Sequence, residues 1–128
     1  MKQFLLVLFI VPFHYLASAQ ADQSMDCSIL KKGTFKYVGL EDTTAYFTIK
    51  KSNHVEYHEG GKYQIKSKLK WLNPCQYQME MLSNTIPDFP FKPGDVMLVT
   101  INKIEGNTIY YTSEVNKQTW EGVLKKIE

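Results

Sequence analysis

The chain has 128 residues and a formal net charge of +2, and all 15 of its basic residues are lysines. This length allows one domain with a single modest core. Because guanine and phosphate are usually read by the arginine fork, the absence of arginine argues against a nucleic-acid partner.

The N-terminus has the three parts of a secretory signal peptide. Lys2 supplies the positive charge, residues 4–11 form an unbroken apolar run, and residues 17–19 read Ala-Ser-Ala, a cleavage site. A spanning helix needs about 20 apolar residues, so we predict no membrane span and a periplasmic or secreted protein. The predicted segments are a signal peptide over 1–19, an N-terminal segment over 20–32 and a single β domain over 33–128.

The chain contains two cysteines, Cys27 and Cys75. In an exported protein such a pair favours a disulfide, and we predict that the two are bonded. Two separate buried thiols are the alternative. Chemistry at a thiol is a third interpretation, but zinc would need closely spaced ligand pairs such as C-x-x-C, which the chain lacks.

The rest of the chain alternates apolar and polar residues, as half-buried antiparallel strands do. Residues 62–71 are the clearest example, with apolar side chains on one face and four lysines on the other. The predicted strands are 33–38, 44–51, 53–59, 62–71, 75–84, 95–104, 108–114 and 118–125. Eight short strands joined by tight turns predict an all-β, up-and-down meander that closes into a small lipocalin-like barrel. A two-sheet β-sandwich is the alternative.

Loop length decides which side chains face the core, because successive residues of a strand point to opposite faces. In the stretch WLNPCQY, a three-residue loop pairs Trp71 with Cys75 and points Cys75 inward. Near the C-terminus, a two-residue loop at 116–117 pairs Ser113 with Trp120.

A third loop decides the orientation of a polar strand. A three-residue loop over 59–61 pairs Tyr57 with Tyr63. This register places three polar side chains on the outer face, His54, Glu56 and His58. Imidazole and carboxylate are zinc-type ligands, but three in a row would strain to converge on one ion. We therefore expect a solvated outer face, no metal and no cofactor, with these residues as the metal candidates.

The segment TIPDFPFKPGD, residues 85–95, contains three prolines, which exclude a central strand. Its apolar side chains predict that it lies across one end of the barrel, as a plug or as a lid over an apolar cavity. We expect one of its two phenylalanines to point into the barrel. The candidate ligand-binding residues are Phe89, Phe91, Trp71, Tyr111 and Trp120.

Four motifs are spread along the mature chain: G-T-F-x-Y from Gly33, H-x-E-Y from His54, W-x-x-x-C-x-Y-x-M from Trp71 and F-x-P-G-D-V from Phe91. Together they resemble a group of short exported bacterial β proteins. The resemblance implies a compartment and a fold, and no activity or site. Some members carry a DNA topoisomerase IV label, which does not fit one small exported domain without arginine.

No catalytic motif is present: the sequence has no G-x-S-x-G, no H-E-x-x-H and no phosphate loop. We therefore expect a protein that is not an enzyme. The favoured function is a monomeric binding module for a small apolar ligand held inside the barrel. The alternative is an envelope structural or protein-interaction domain with a filled core.

Overall fold

The computed structural model describes residues 25–128, so the predicted signal peptide and cleavage site lie outside the described residues. Two short 3-10 helices and eight β-strands make up this part of the chain. The strands are β1 (Gly33–Tyr37), β2 (Tyr46–Lys50), β3 (Asn53–His58), β4 (Tyr63–Asn73), β5 (Gln76–Asn84), β6 (Val96–Glu105), β7 (Thr108–Val115) and β8 (Gln118–Lys126). The 3-10 helices are Cys27–Leu30, before β1, and Glu59–Gly61, between β3 and β4.

The strands form one closed barrel in sequence order. Each strand pairs antiparallel with the next, and β8 returns to pair with β1, where Phe35 lies opposite Lys126. Closure leaves no strand edge unpaired, which removes the usual template for edge-to-edge aggregation. The predicted all-β meander and barrel are thereby confirmed, and the sandwich alternative is wrong. Among residues 25–128, no helix is long and apolar enough to cross a membrane.

The core follows from the alternation of the strands. In β4, residues Ile65, Ser67 and Leu69 are buried while the lysines between them are exposed. The rings of Phe35 and Phe47 stack with centroids 5.0 Å apart and are almost fully buried. Buried aromatic and aliphatic side chains of this kind contribute about 1.5–3 kcal/mol each to the free energy of folding, and they pack the strands around one common core.

The two ends of the barrel are built differently. One end, here called the closed end, carries the 3-10 helix Cys27–Leu30, in which Cys27 and Leu30 are almost fully buried. The predicted disulfide is confirmed: Cys27 is bonded to Cys75, in the β4–β5 turn, with a Cα–Cα distance of 5.3 Å. The other end, the open end, carries the 38–45 loop, the second 3-10 helix and the 85–95 segment.

The register between β4 and β5 differs from the prediction. Trp71 lies opposite Tyr77 instead of Cys75, and the connection is a two-residue turn, Pro74-Cys75. A two-residue turn alone would place the apolar side chains of β4 and β5 on different faces of the sheet. A register shift between Trp71 and Asn73 adds one residue on β4, as a β-bulge does, and restores the match.

The connection between β3 and β4 also differs, and here the difference reverses a face. Glu56 lies opposite Ile65, and His58 lies opposite Tyr63. The loop therefore holds four residues, 59–62, where three were expected. One extra residue turns every side chain of β3 to the other side of the sheet, so the prediction that His54 and Glu56 face solvent is wrong.

The last hairpin matches the prediction. Ser113 lies opposite Trp120, and Ile109 lies opposite Leu124, across the two-residue turn 116–117. Both turn residues, Asn116 and Lys117, have positive φ, as a type I′ hairpin turn requires.

Candidate ligand cavity

The barrel interior contains a cavity of about 260 Å³ that lies toward the open end. Most of its wall consists of aliphatic, methionine and aromatic side chains, and a smaller number of polar side chains complete it. The polar lining residues are His54, Glu56, Ser67, Asp95 and Ser113, together with the tyrosines Tyr37, Tyr77 and Tyr111. An apolar pocket with a few polar groups is the usual form of a small-molecule site.

Strand β3 supplies a polar row that runs from the open end into the barrel. His58 ends the strand beside the second 3-10 helix, Glu56 lies one step deeper, and His54 is deepest. Alternate residues of a strand share a face, so the inward turn of β3 places all three on the interior side. His54 and Glu56 line the cavity.

His54 is held in its neutral form. Its side chain is 2% exposed and stacks on the ring of Phe47, with centroids 4.4 Å apart. Burial lowers the pKa of His54 to about 4, because desolvation disfavours the charged imidazolium more than the nearby Glu56 favours it. Its Nδ1 has no hydrogen-bond partner among residues 25–128, which is uncommon for a buried polar atom.

His58 is held toward its charged form. Its Nε2 lies 2.7 Å from Oε1 of Glu56, and its Nδ1 lies 3.8 Å from Oδ2 of Asp42. The hydrogen bond to Glu56 is the main cause that raises the pKa of His58, and burial opposes it. Asp42 is itself fixed on the open end, because its carboxylate also accepts a hydrogen bond from the backbone N–H of Glu59 at 2.8 Å.

Three tyrosines surround the inner part of the cavity with phenol rings. Burial raises the pKa of Tyr37, Tyr77 and Tyr111, and the negative charge of Glu56 raises all three further. The three hydroxyls therefore stay protonated at neutral pH. Tyr111 lies directly over Gly122 of the neighbouring strand, where a Cβ atom would overlap the phenol ring. The glycine thus makes room for the tyrosine in the wall.

The 85–95 segment covers the cavity from the open end. Phe89 and Phe91 both line it and pack edge to face with centroids 5.7 Å apart. The expectation that a single phenylalanine points inward is wrong, because both rings line the cavity. The segment is tied to the barrel at both ends, by Thr85 N–H to the Gln64 carbonyl at 3.0 Å and by Gly94 N–H to the Met81 carbonyl at 2.9 Å.

The five predicted ligand-binding residues fall into two groups. Phe89, Phe91 and Tyr111 line the cavity. Trp71 lies toward the closed end, where its ring packs against Tyr77 and carries the Lys31 ammonium 3.4 Å from its centroid. Trp120 is 42% exposed and meets Phe91 edge to face at 5.9 Å, so it forms part of the outer rim.

Sequence reasoning missed the polar side of the cavity, which is formed by His54, Glu56 and Tyr37. The H-x-E pattern was visible, but its assignment to the outer face removed it from the site. Within residues 25–128, no three His, Cys, Asp or Glu side chains are arranged to hold a metal ion. The arrangement is suited to holding a small molecule by burial and a few directed polar contacts.

No protein-family model, no curated protein and no solved structure matches this chain. The cavity and the side chains around it are therefore the features that bear on function.

Proposed function

We propose that the protein is a non-catalytic binding module that holds one small, largely apolar ligand inside the barrel, beneath the 85–95 segment. The observation that carries this proposal is the 260 Å³ cavity with several polar side chains along one side. A barrel of eight strands is often filled by its own side chains, so an unfilled interior needs a reason. Space for a ligand supplies that reason.

The size of the cavity limits the ligand. An apolar cavity of about 150 Å³ accommodates benzene, so 260 Å³ accommodates about ten non-hydrogen atoms. Apolar wall residues such as Met79, Met81 and Val99 would contact the body of such a molecule. The covering phenylalanines, Phe89 and Phe91, would have to move aside for it to enter.

The Cys27–Cys75 disulfide supports an oxidising compartment, and we infer that the protein acts in the periplasm or outside the cell, as a monomer. An envelope domain with a filled core is the alternative function. The presence of the cavity favours the binding module over that alternative.

Calorimetric titration with 2-phenylethanol, a neutral molecule of suitable size, tests the proposal. We expect saturable one-to-one binding to the wild-type protein. Ser67→Leu adds volume to the cavity wall and should abolish binding. Ser83→Leu makes the same change at an exposed position of β5 and should leave binding intact.

Thermal melts of both variants accompany the titration, because overpacking a core costs about 1–3 kcal/mol. Native mass spectrometry of protein purified from its own host provides a second measurement, in which we expect a retained mass below that of a lipid. Absence of binding in the titration, together with no retained mass, would contradict the binding module and favour the filled-core alternative.

A further inference from the structure

The charged groups of the cavity wall are of one sign. The acids Glu56 and Asp95 line it, and no lysine does so among the described residues, although the chain carries 15 lysines. His54 adds no positive charge near neutral pH, since burial keeps it neutral. A wall with two acids and no lysine favours cations over anions, although the His58 imidazolium beside Glu56 offsets part of the negative charge.

Glu56 is the group that this potential depends on most. Its side chain is 19% exposed, and its polar partners in the described part of the chain are His58, at one of its oxygens, and the Tyr37 hydroxyl. Removing a carboxylate from water is costly unless partners compensate for the lost hydration. A cationic group that enters from the cavity would be such a partner.

Aromatic rings stand around the same space. Tyr37, Phe47, Tyr77 and Tyr111 all line the cavity together with Glu56. Ring faces attract ammonium groups by cation–π interaction, and the effect is larger where water is excluded. A carboxylate flanked by aromatic rings is chemically suited to a protonated amine.

The unpartnered nitrogen of His54 is an independent sign of a missing hydrogen-bond partner. The residue lines the cavity and is 2% exposed, yet its Nδ1 has no hydrogen-bond partner in the described chain. In the neutral tautomer that carries its proton on Nε2, this nitrogen is a hydrogen-bond acceptor. An ammonium group carries three donors and could serve both this acceptor and the neighbouring carboxylate.

We propose that the ligand presents a protonated amine to Glu56, with His54 and the tyrosines around it and with its apolar body beneath Phe89 and Phe91. The ligand class is a small arylalkylamine or alkylamine. This inference rests on the proposed binding function and adds the chemical class of the ligand. An anionic ligand would instead meet two carboxylates, and a neutral one would leave Glu56 without a charged partner from the cavity.

His58 competes with such a ligand for the same carboxylate. Its charge is supported by Glu56, Asp42 and Glu59, and the other titratable groups near Glu56 are His54 and the tyrosines Tyr37, Tyr77 and Tyr111. As pH rises through the raised pKa of His58, the imidazolium loses its proton and the competition ends. An alkylammonium keeps its charge until about pH 10, so amine affinity should rise over this interval.

A matched ligand series tests the proposal: 2-phenylethylamine, 2-phenylethanol and phenylacetate, each titrated by calorimetry into the full mature protein. Charge-assisted hydrogen bonds are worth more than neutral ones, so the amine should bind about tenfold or more tighter than the alcohol. Phenylacetate should bind more weakly than either. Glu56→Gln should remove the amine's advantage over the alcohol.

Two variants complete the design. Glu80→Gln makes the same charge change on the exposed face of β5, opposite Lys68, and should keep the selectivity. His58→Gln should flatten the rise in amine affinity between about pH 6 and about pH 9. If Glu56→Gln fails to fold, the ligand series in the wild-type protein still decides the question.

The outcomes separate the two proposals. Binding of the alcohol without preference for the amine would overturn the cationic class and leave the binding function standing. Failure of all three molecules to bind, together with no mass retained from the host, would overturn the binding function itself. Preference for phenylacetate would reverse the assignment of charge.

Discussion

Two histidines on the same face of one strand are held in opposite states. His54 lies deep in the barrel, where burial lowers its pKa to about 4, while His58 lies near the open end and its pKa is raised by the Glu56 carboxylate. The two positions are four apart along β3, and their different depths change the balance between desolvation and charge pairing. Each histidine therefore gives the stability of the protein a pH dependence of its own sign.

His54 should destabilise the protein in acid. The His54 imidazole binds its proton near pH 6.5 in the unfolded chain and near pH 4 in the native protein. As pH falls, the unfolded state is therefore protonated first. The contribution of His54 to stability is fully present above pH 6.5 and is lost between pH 6.5 and about pH 4. At about 1.36 kcal/mol per pH unit, the total loss is about 3 kcal/mol. Urea unfolding at a series of pH values measures it.

The variant His54→Phe keeps the stacking on Phe47 and removes the titrating group. Its unfolding free energy should fall less steeply than that of the wild-type protein over the same interval. Parallel curves for the two proteins would show that His54 is not the cause of the acid sensitivity.

His58 should act in the opposite direction at higher pH. Its folded pKa is raised above 6.5, so its stabilising contribution is fully present below 6.5 and is lost as pH rises through the folded pKa. In His58→Gln this loss should vanish, because no proton is released. The difference in melting temperature between variant and wild type should therefore shrink with rising pH. A constant difference would contradict the pairing with Glu56.

Strands, unlike side-chain states, could largely be read from the sequence. The β7–β8 hairpin was predicted with its register because Asn116-Lys117 is a two-residue turn flanked by apolar pairs that match. For strand β3, the predicted orientation of the side chains is wrong. The loop after it contains a 3-10 helix with positive φ at Glu59, Gly60 and Gly61. The glycine pair is compatible with a four-residue loop as well as with a three-residue loop.

The physical reason for that error is the cavity itself. Parity arguments assume that the more apolar face of a strand is buried, and in β3 the more apolar face contains Val55 and Tyr57. A strand that lines a binding cavity can instead bury its polar face, because the polar groups serve a ligand. Polar side chains on an inward face are thus a signal of a site that periodicity alone assigns to solvent.

The contact between β7 and β8 predicts the effect of one methyl group. In Gly122→Ala the new Cβ would overlap the Tyr111 ring, so the ring must move or the strands must separate. We expect a loss of about 1–3 kcal/mol in the free energy of unfolding, as for other overpacked sites. In a Tyr111→Ala background the same substitution should have little effect. Equal costs in both backgrounds would place the strain elsewhere.

The 85–95 segment should behave as a cover in which both phenylalanines contribute. Phe89 and Phe91 are half-buried and touch each other, so each truncation to alanine should cost about 1–2 kcal/mol, less than the roughly 3–5 kcal/mol of a fully buried ring. Both variants should also change the affinity for 2-phenylethanol. Urea melts and titrations of the single and double variants measure the two effects.

The double variant isolates the contact between the rings, whose coupling should be about 0.5–1.5 kcal/mol. Phe91→Ala should in addition alter Trp120 fluorescence, because these two rings meet at 5.9 Å. Costs below about 0.5 kcal/mol for each phenylalanine, typical of surface positions, together with unchanged binding, would show that the segment is not a cover.

At the scale of the whole molecule, the two ends of the barrel differ: one carries the disulfide, and the other carries the cavity of the proposed binding function. The closed end contains the 3-10 helix Cys27–Leu30 and the disulfide, and both Cys27 and Leu30 belong to the buried core. The open end contains the 85–95 segment and the outer part of the cavity. A change at the closed end should therefore alter the stability of the protein more than its affinity for a ligand.

Removal of the disulfide tests this division. The bond joins residues 48 positions apart, and closure of a loop of that length is worth about 4 kcal/mol in the chain-entropy model. The double variant Cys27→Ala/Cys75→Ala should lose about this amount in urea unfolding and, where it remains folded, should bind 2-phenylethanol with unchanged affinity. Alkylation of the unfolded, unreduced wild-type protein should add no mass. Two added alkyl groups would contradict the bond, and a parallel loss of affinity would show that the closed end also shapes the cavity.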